Sequence, residues 1–397
     1  MQVKTSVPSP PAKKPSRRIA PAPELPHSLV SEPEYEIAAP RADAMIQSLR
    51  AFGYDVPAAI ADLIDNSIAA GAKNVWLEFY WSGAESYVAI ADDGAGMTEG
   101  ELSAAMRPGS RSPLEERDAK DLGRFGLGLK TASFSQCLSL TVASRKKAAG
   151  AAAAVRCWDL EYVTECGDWR LLCGGSETFR AHGLARLEAL PSGTVVFWEK
   201  MDRVTPPGTQ TNSSPEHDLF LRRIEEVRAH IAMVFHRYLD GIPGRPLRIH
   251  VNGELVKAWD PFAAKHSATQ HLPEEAMPFR GEALMVRPFI LPHHSKMSKA
   301  AYEEAKGPKG WDAQQGFYVY RNKRLLVAGD WLGFFQKEQH CKLARIQVDI
   351  PNSMDETWEI DVKKSRAWPP PQLRRHLRRP ASATRARATE VYRNRGA

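Results

Sequence analysis

The order of apolar patterns predicts an α+β chain in two units. Two helical patterns open the folded part and a run of strand patterns follows. A turn-rich stretch from Pro206 to His217 then separates these from a second, smaller set of helices and hairpins. The 397 residues leave room for two domains plus tails, since domains usually run about 100 to 200 residues.

Residues 1–31 are rich in Pro, Lys and Arg and poor in aromatics, a composition that buries too little apolar surface to order itself, so they read as a disordered arm. A first helix is expected over Ala42 to Phe52, with Ile46, Leu49 and Phe52 on one face and Gly53 as its stop. Asp55 can cap a second helix that carries Pro57 in its first turn and closes at Gly71. Ile60, Leu63, Ile64 and Ile68 form its packed stripe, and Asp62 and Asn66, four apart, share another face. Strands are expected at Asn74 to Tyr80 and at Tyr87 to Ala91, the latter ending on Asp92 and Asp93. Thr98 and Glu101 have capping-box spacing, and the polar stretch Arg107 to Leu122 reads as a lid. A helix over Leu127 to Cys137 leads into strands at Leu138 to Ser144, Val155 to Val163 and Thr194 to Trp198, with a surface loop at Lys146 to Ala154.

The second unit, 206–370, opens with an amphipathic helix over Leu219 to Leu239. Hairpins follow at Leu247 to Val256, through Asn252-Gly253, and at Gly316 to Val327, through Asn322-Lys323, before strands at Ala344 to Ile350 and Trp358 to Val362. The first unit is 32–205 and the basic tail 371–397. No internal repeat is visible.

Composition narrows the class. Hydrophobic residues at 43% and charged residues at 25% are ordinary for a globular chain, and no apolar run of about 18 residues could span a bilayer. No membrane partner is expected, and the basic N-terminus lacks the apolar core of a secretory signal. Five cysteines without CxxC spacing point to reduced thiols in a cytoplasm and against a zinc site. The net charge is +7, and Arg374 to Arg395 hold eight arginines against one acid, Glu390. Such a run reads first as a solvated, disordered end, with phosphate-backbone contact as the alternative.

The chemistry gathers between Val56 and Lys130, in AIADLIDNSIAAGA, IADDGAGM and DLGRFGLGLK. Hydrolysing a nucleoside triphosphate takes a metal on the phosphates, a group that orients water, recognition of the base and backbone donors for the phosphate oxygens. Asn66 offers an amide oxygen for Mg²⁺, and Asp62, one turn earlier, can hold the attacking water. Asp92 can accept from an exocyclic amino group, while Gly94 and Gly96 admit a close backbone approach. Gly123, Gly126 and Gly128 allow a turn whose N–H groups face phosphates at a helix start, and Lys130 adds charge. The glycine segment has neither the dinucleotide GxGxxG context nor the GK[ST] of a P-loop.

These segments resemble the Bergerat-type ATP-binding motifs of the GHKL superfamily, shared by gyrase B, MutL, the ninety-kilodalton heat-shock chaperones, histidine kinases and MORC ATPases. ADLIDNS, DDGAGM and GRFGLGLKTASFS are most similar to the bacterial MORC-like and MutL-like branch, and SGTVVFWEKMD extends the likeness to Asp202. The resemblance implies a two-layer α/β sandwich followed by a transducer-like domain. It implies ATP and Mg²⁺ as ligands, Asn66 on the metal, Asp92 on adenine, Thr194 at the adenine end, and Met97, Phe125 and Leu127 within the pocket segments. Asp62 falls where MutL, gyrase and chaperone members carry Glu, and Ala69 where many carry an acid. A carboxylate one methylene shorter holds water farther from the γ-phosphate, so slow hydrolysis is expected. In EIDVKKSRAWPP the resemblance nominates Lys364 first and Lys363 second as the lysine that senses the γ-phosphate, with Lys323 in YRNKRLLV behind them; each also reads as an exposed hairpin lysine.

The expected activity is that of a slow ATPase switch that dimerises on ATP. By resemblance it acts on DNA, in restriction or phage defence, beside a partner nuclease or helicase. A histidine-kinase-type phosphotransferase and a nucleotide-regulated chaperone or scaffold are the alternatives.

Overall fold

The computed structural model describes residues 36, 38, 40–109, 128–147, 152–242, 244–351, 354, 358–359 and 367–394. The arm 1–31, most of the expected lid, Gly123, Phe125, Gly126, Leu127, Lys363 and Lys364 lie outside them.

Helix α2 (Val56–Ala69) forms where its cap and stripe predict, whereas helix α1 (Ala42–Arg50) ends before Phe52, which is exposed outside the packed face expected for it. The Asp55 side chain accepts the Ala58 N–H at 2.8 Å, Pro57 sits in the first turn, and Gly71 follows with φ +73°. Strands β1 (Asn74–Tyr80) and β2 (Tyr87–Asp92) pair antiparallel, and α3 (Glu99–Met106) starts on the reciprocal Thr98–Glu101 capping box. Helix α4 (Gly128–Phe134) leads into β3 (Ser139–Arg145) and β4 (Ala154–Asp159).

The strand expected over Val155 to Val163 stops at Asp159. Its carboxylate accepts the N–H groups of Glu161 and Tyr162 and starts α5 (Leu160–Cys166), so a local cap overrides the apolar strand pattern. A π-helical turn over Phe179–Leu184 runs into α6 (Ala185–Glu188), and both cover the outer face of the sheet through Phe179 and Leu187. Strand β5 (Gly193–Glu199) then lies between β3 and β2.

After α7 (Ser214–Val234) and α8 (His236–Leu239) the chain returns to this first sheet. Strand β6 (Arg248–Val251) pairs parallel with β1 and is flanked by β7 (Glu254–Leu255), giving seven strands in the order β4-β3-β5-β2-β1-β6-β7. The Leu247 to Val256 hairpin, expected with the C-terminal unit, therefore belongs to the first sheet. Parallel pairing needs a long crossover, which α7 and α8 supply.

The second sheet comprises β8 (Gln270–His271), β9 (Glu275–Phe279), β10 (Glu282–Ile290), β11 (Gly316–Arg321), β12 (Arg324–Asp330) and β13 (Ala344–Ile350) in the order β12-β11-β13-β10-β8, with β9 also on β10. Helix α9 (Lys299–Lys306) connects β10 to β11. The β11–β12 turn places Asn322 and Lys323 at φ +46° and +69°, the two left-handed residues of a tight hairpin. The two sheets are both mixed, which makes the chain α+β.

The solvated tail is corrected. Residues Pro371–Arg393 form α10, which buries Leu373, Leu377, Ala381, Thr384, Ala388 and Val391 against the second sheet. These recur every three or four residues, so the arginines occupy the other faces of an amphipathic helix.

Candidate nucleotide site

Helix α2 is buried along most of its length, with Asn66 and Ala69 exposed. One turn earlier Asp62 is 3% exposed, with the Tyr54 hydroxyl donating to its Oδ2 at 2.8 Å. Packing of α2 between α4 and α7 keeps the Asp62 side chain from solvent. The start of α4 faces the same carboxylate: a Cβ on Gly128 would stand 3.8 Å from Asp62 Oδ2. Lys130, two residues on, is 2% exposed and donates from Nζ to the Ala105 carbonyl at 2.8 Å, and its burial lowers the ammonium pKa to about 8.

The second cluster begins at the end of β2. Asp92 is 6% exposed; it accepts from Ser67 Oγ and from the Gly94 N–H, both at 2.9 Å. Burial pushes its pKa up and these two donors pull against it. Its neighbour Asp93 pays a smaller desolvation cost. The Asn74 amide and the backbone N–H groups of Lys73 and Asn74 outweigh that cost and hold Asp93 below the usual carboxylate range. The Asp92–Asp93 pair is thus divided in use: Asp93 ties the strand end to β1, and Asp92 is turned toward α2.

The turn after Asp93 is clamped on three sides. The Ala95 N–H donates to the Ala70 carbonyl, Ser192 Oγ donates to the Gly94 carbonyl, and the Met97 N–H donates to Ser144 Oγ. Thr194 lies opposite Asp92 in the β2–β5 register, and its hydroxyl is 2.8 Å from Ser144 Oγ. Two glycines are sterically required. A Cβ on Gly96 would come 1.9 Å from the Arg145 carbonyl, and one on Gly193 would come 1.9 Å from the Asp92 carbonyl.

Asp62 and Gly128 therefore meet between α2 and α4, with Asn66 one turn further along α2, and Ser67 links that helix to the group of Asp92, Gly94, Gly96, Met97 and Thr194. Tyr54, Ser67, Ser144 and Ser192 were not singled out from sequence. Ser67 and Ser192 had local signals, since Ser67 follows Asn66 directly and Ser192 opens SGTVVFWEKMD.

Asp65 and Arg324 were also missed. Arg324, at the start of β12, is 3% exposed and reaches α2, where its Nε donates to Asp65 Oδ1 at 2.9 Å. Its Nη2 stands 3.8 Å from Asp62 Oδ1. A separation of 259 positions leaves no sequence spacing to reveal such a pair.

Residues 54–188 match the family described as histidine kinase-, DNA gyrase B-, and HSP90-like ATPase. The DNA mismatch repair protein MutL of Rhodospirillum rubrum is 33% identical over 93 residues, which cover 23% of this chain and 15% of that protein. MutL of Afipia carboxidovorans is 31% identical over 91 residues, with the same two shares. ATPase morc-1 of Caenorhabditis elegans is 31% identical over 88 residues, 22% of this chain and 10% of its own length. The chain thus matches a small part of each relative's length. Residues 54–188 are a GHKL ATPase domain, and the chain has distant similarity to MutL and MORC ATPases.

Proposed function

We propose that the chain is a slow Mg²⁺-dependent ATPase in which Asp62 orients the attacking water and Asp92, with Thr194, receives the adenine. One observation carries the reading: the Asp62 carboxylate is buried, held by Tyr54, and faces Gly128, in the glycine segment that the resemblance assigns to the phosphates. The donor set fits magnesium. Asn66 presents an exposed amide oxygen, and among the described residues no group of three or more His, Cys, Asp or Glu side chains could cage a metal. One protein oxygen, with phosphate and water oxygens for the rest, accords with an ion that keeps its waters. Asn66 would hold the ion, which would supply charge neutralisation on the phosphates. Lys130, the glycine turn with Phe125 and Leu127, and Lys364 or Lys363 complete the phosphate side by resemblance to the family.

The same resemblance supports ATP-driven pairing of two copies. Phosphate release tests the reading: Asp62→Ala should lower turnover about a hundredfold while a non-hydrolysable analogue still binds and still shifts the chain to a dimer in light scattering. A wild-type chain that binds ATP and releases no phosphate overturns it, and labelling of a protein histidine would favour the kinase alternative.

We also infer a nucleic-acid backbone as the partner of α10. Its outward side exposes Arg375, Arg378, Arg379, Arg387 and Arg393, of which Arg379 is engaged by Glu275 and Arg387 by Glu390. Because α10 is packed, deletion would damage the fold, so the informative variant is Arg375→Glu/Arg378→Glu. Its DNA affinity should fall, with a salt slope smaller by about 2; an unchanged slope refutes the role.

A further inference from the structure

Arg324 lies outside the matched segment, in the hairpin of the second sheet, yet it is inserted beside the carboxylate proposed to orient water. Its guanidinium is divided among three partners. Nε holds Asp65, Nη1 donates to the Leu325 carbonyl of its own strand at 3.2 Å, and Nη2 faces Asp62. Asp62 and Asp65 are three apart, so one planar fork can serve both from the same side of α2. With Tyr54 on Oδ2 and Arg324 toward Oδ1, Asp62 is flanked at both oxygens by groups from different parts of the chain.

Stability alone is a poor reason for this arrangement. Arg324, Asp62 and Asp65 are all at most 3% exposed, and apolar residues of similar volume usually do as well as a desolvated ion pair. What the pair supplies is a fixed position. The hairpin that carries Arg324 is itself fastened to α8: Tyr238 donates to the Asn322 carbonyl, His236 lies 2.8 Å from the Tyr320 hydroxyl, and Arg237 stacks 3.5 Å over the Tyr320 ring while pairing with Asp349. Any movement of the second sheet against the first moves Nη2 relative to Asp62.

We propose that Arg324 is a positioning residue that makes hydrolysis depend on the seating of the second sheet: anchored on Asp65, it holds the Asp62 carboxylate in its water-orienting direction. The inference rests on the reading of Asp62 given above.

The test compares Arg324→Lys, Asp62→Ala, their double variant and the charge-neutral pair Arg324→Gln/Asp65→Asn. Lysine keeps a cation for Asp65 but has no second arm for Asp62. Arg324→Lys should therefore lower kcat about tenfold or more, with KM, the affinity for a non-hydrolysable ATP analogue and the melting temperature without nucleotide close to wild type. The neutral pair removes both charges, folds, binds the analogue and stays slow, whereas a purely structural role predicts its recovery. In the Asp62→Ala background Arg324→Lys should change nothing further.

Wild-type kcat in Arg324→Lys, with Asp62→Ala slow, overturns the inference and leaves the reading of Asp62 intact. Additive losses in the double variant also overturn it, since Arg324 would then act elsewhere. A brisk Asp62→Ala overturns the reading itself, and the inference with it.

Discussion

His236 shows how much one side chain can be asked to hold. It is 5% exposed, and burial, with the Arg237 charge beside it, pushes its pKa down to about 3. An unfolded histidine takes up its proton near pH 6.5. Between these values the unfolded chain binds a proton that the folded chain refuses, so the contribution is complete above pH 6.5 and is lost as pH falls toward 3. The slope is at most about 1.4 kcal/mol per pH unit for this group. Urea midpoints at pH 7.5, 6.5 and 5.5 should show the decline in the wild type and a shallower one in His236→Gln. Equal slopes would mean that the ring is already protonated in the fold. Asp92 is the opposite case, a buried acid with donors but, among the described residues, no paired cation, and there the chain accepts a raised pKa to keep a carboxylate turned toward α2.

Elements were legible in proportion to how local their signals are. The cap at Asp55, the box at Thr98 and Glu101, and the strand ends at Asn74, Tyr80, Ala344 and Ile350 needed only near neighbours, and all are found. Asp159 had a cap's chemistry too, but the Val and Tyr that follow it outweighed it as a strand signal. Helix α10 was legible in principle: the charge run drew the reading, while the sparse stripe of Leu373, Leu377, Ala381, Thr384 and Ala388 carried the answer. If that stripe fixes the helix, Leu377→Ala should cost about 2 to 5 kcal/mol in denaturant unfolding. Arg375→Glu on the solvent side should leave the midpoint within about 0.5 kcal/mol. Equal effects would show that the helix is not held by its buried side.

At the scale of the whole molecule, what escaped the sequence was non-local. Parallel pairing of β6 with β1 joins Asn74–Leu77 to Arg248–Val251, and no pattern within either strand names the other. The Arg324 contact is hidden for the same reason. Both join the matched domain to chain beyond it, and the main apolar core does likewise, running from Ile60 and Ile64 through Ile231 to Tyr318, Tyr320 and Leu325.

The late arrival of β6 has a consequence for how the protein is made. Strands β1 to β5 have all left the ribosome about fifty residues before β6 does, so one edge of β1 waits open for a few seconds at roughly 5 to 20 residues per second. That edge offers unpaired backbone groups beside the apolar Val75, Leu77 and Phe79. Nascent chains of this protein are therefore most exposed to mispairing during that interval. A fragment ending after β5 would remain in it permanently.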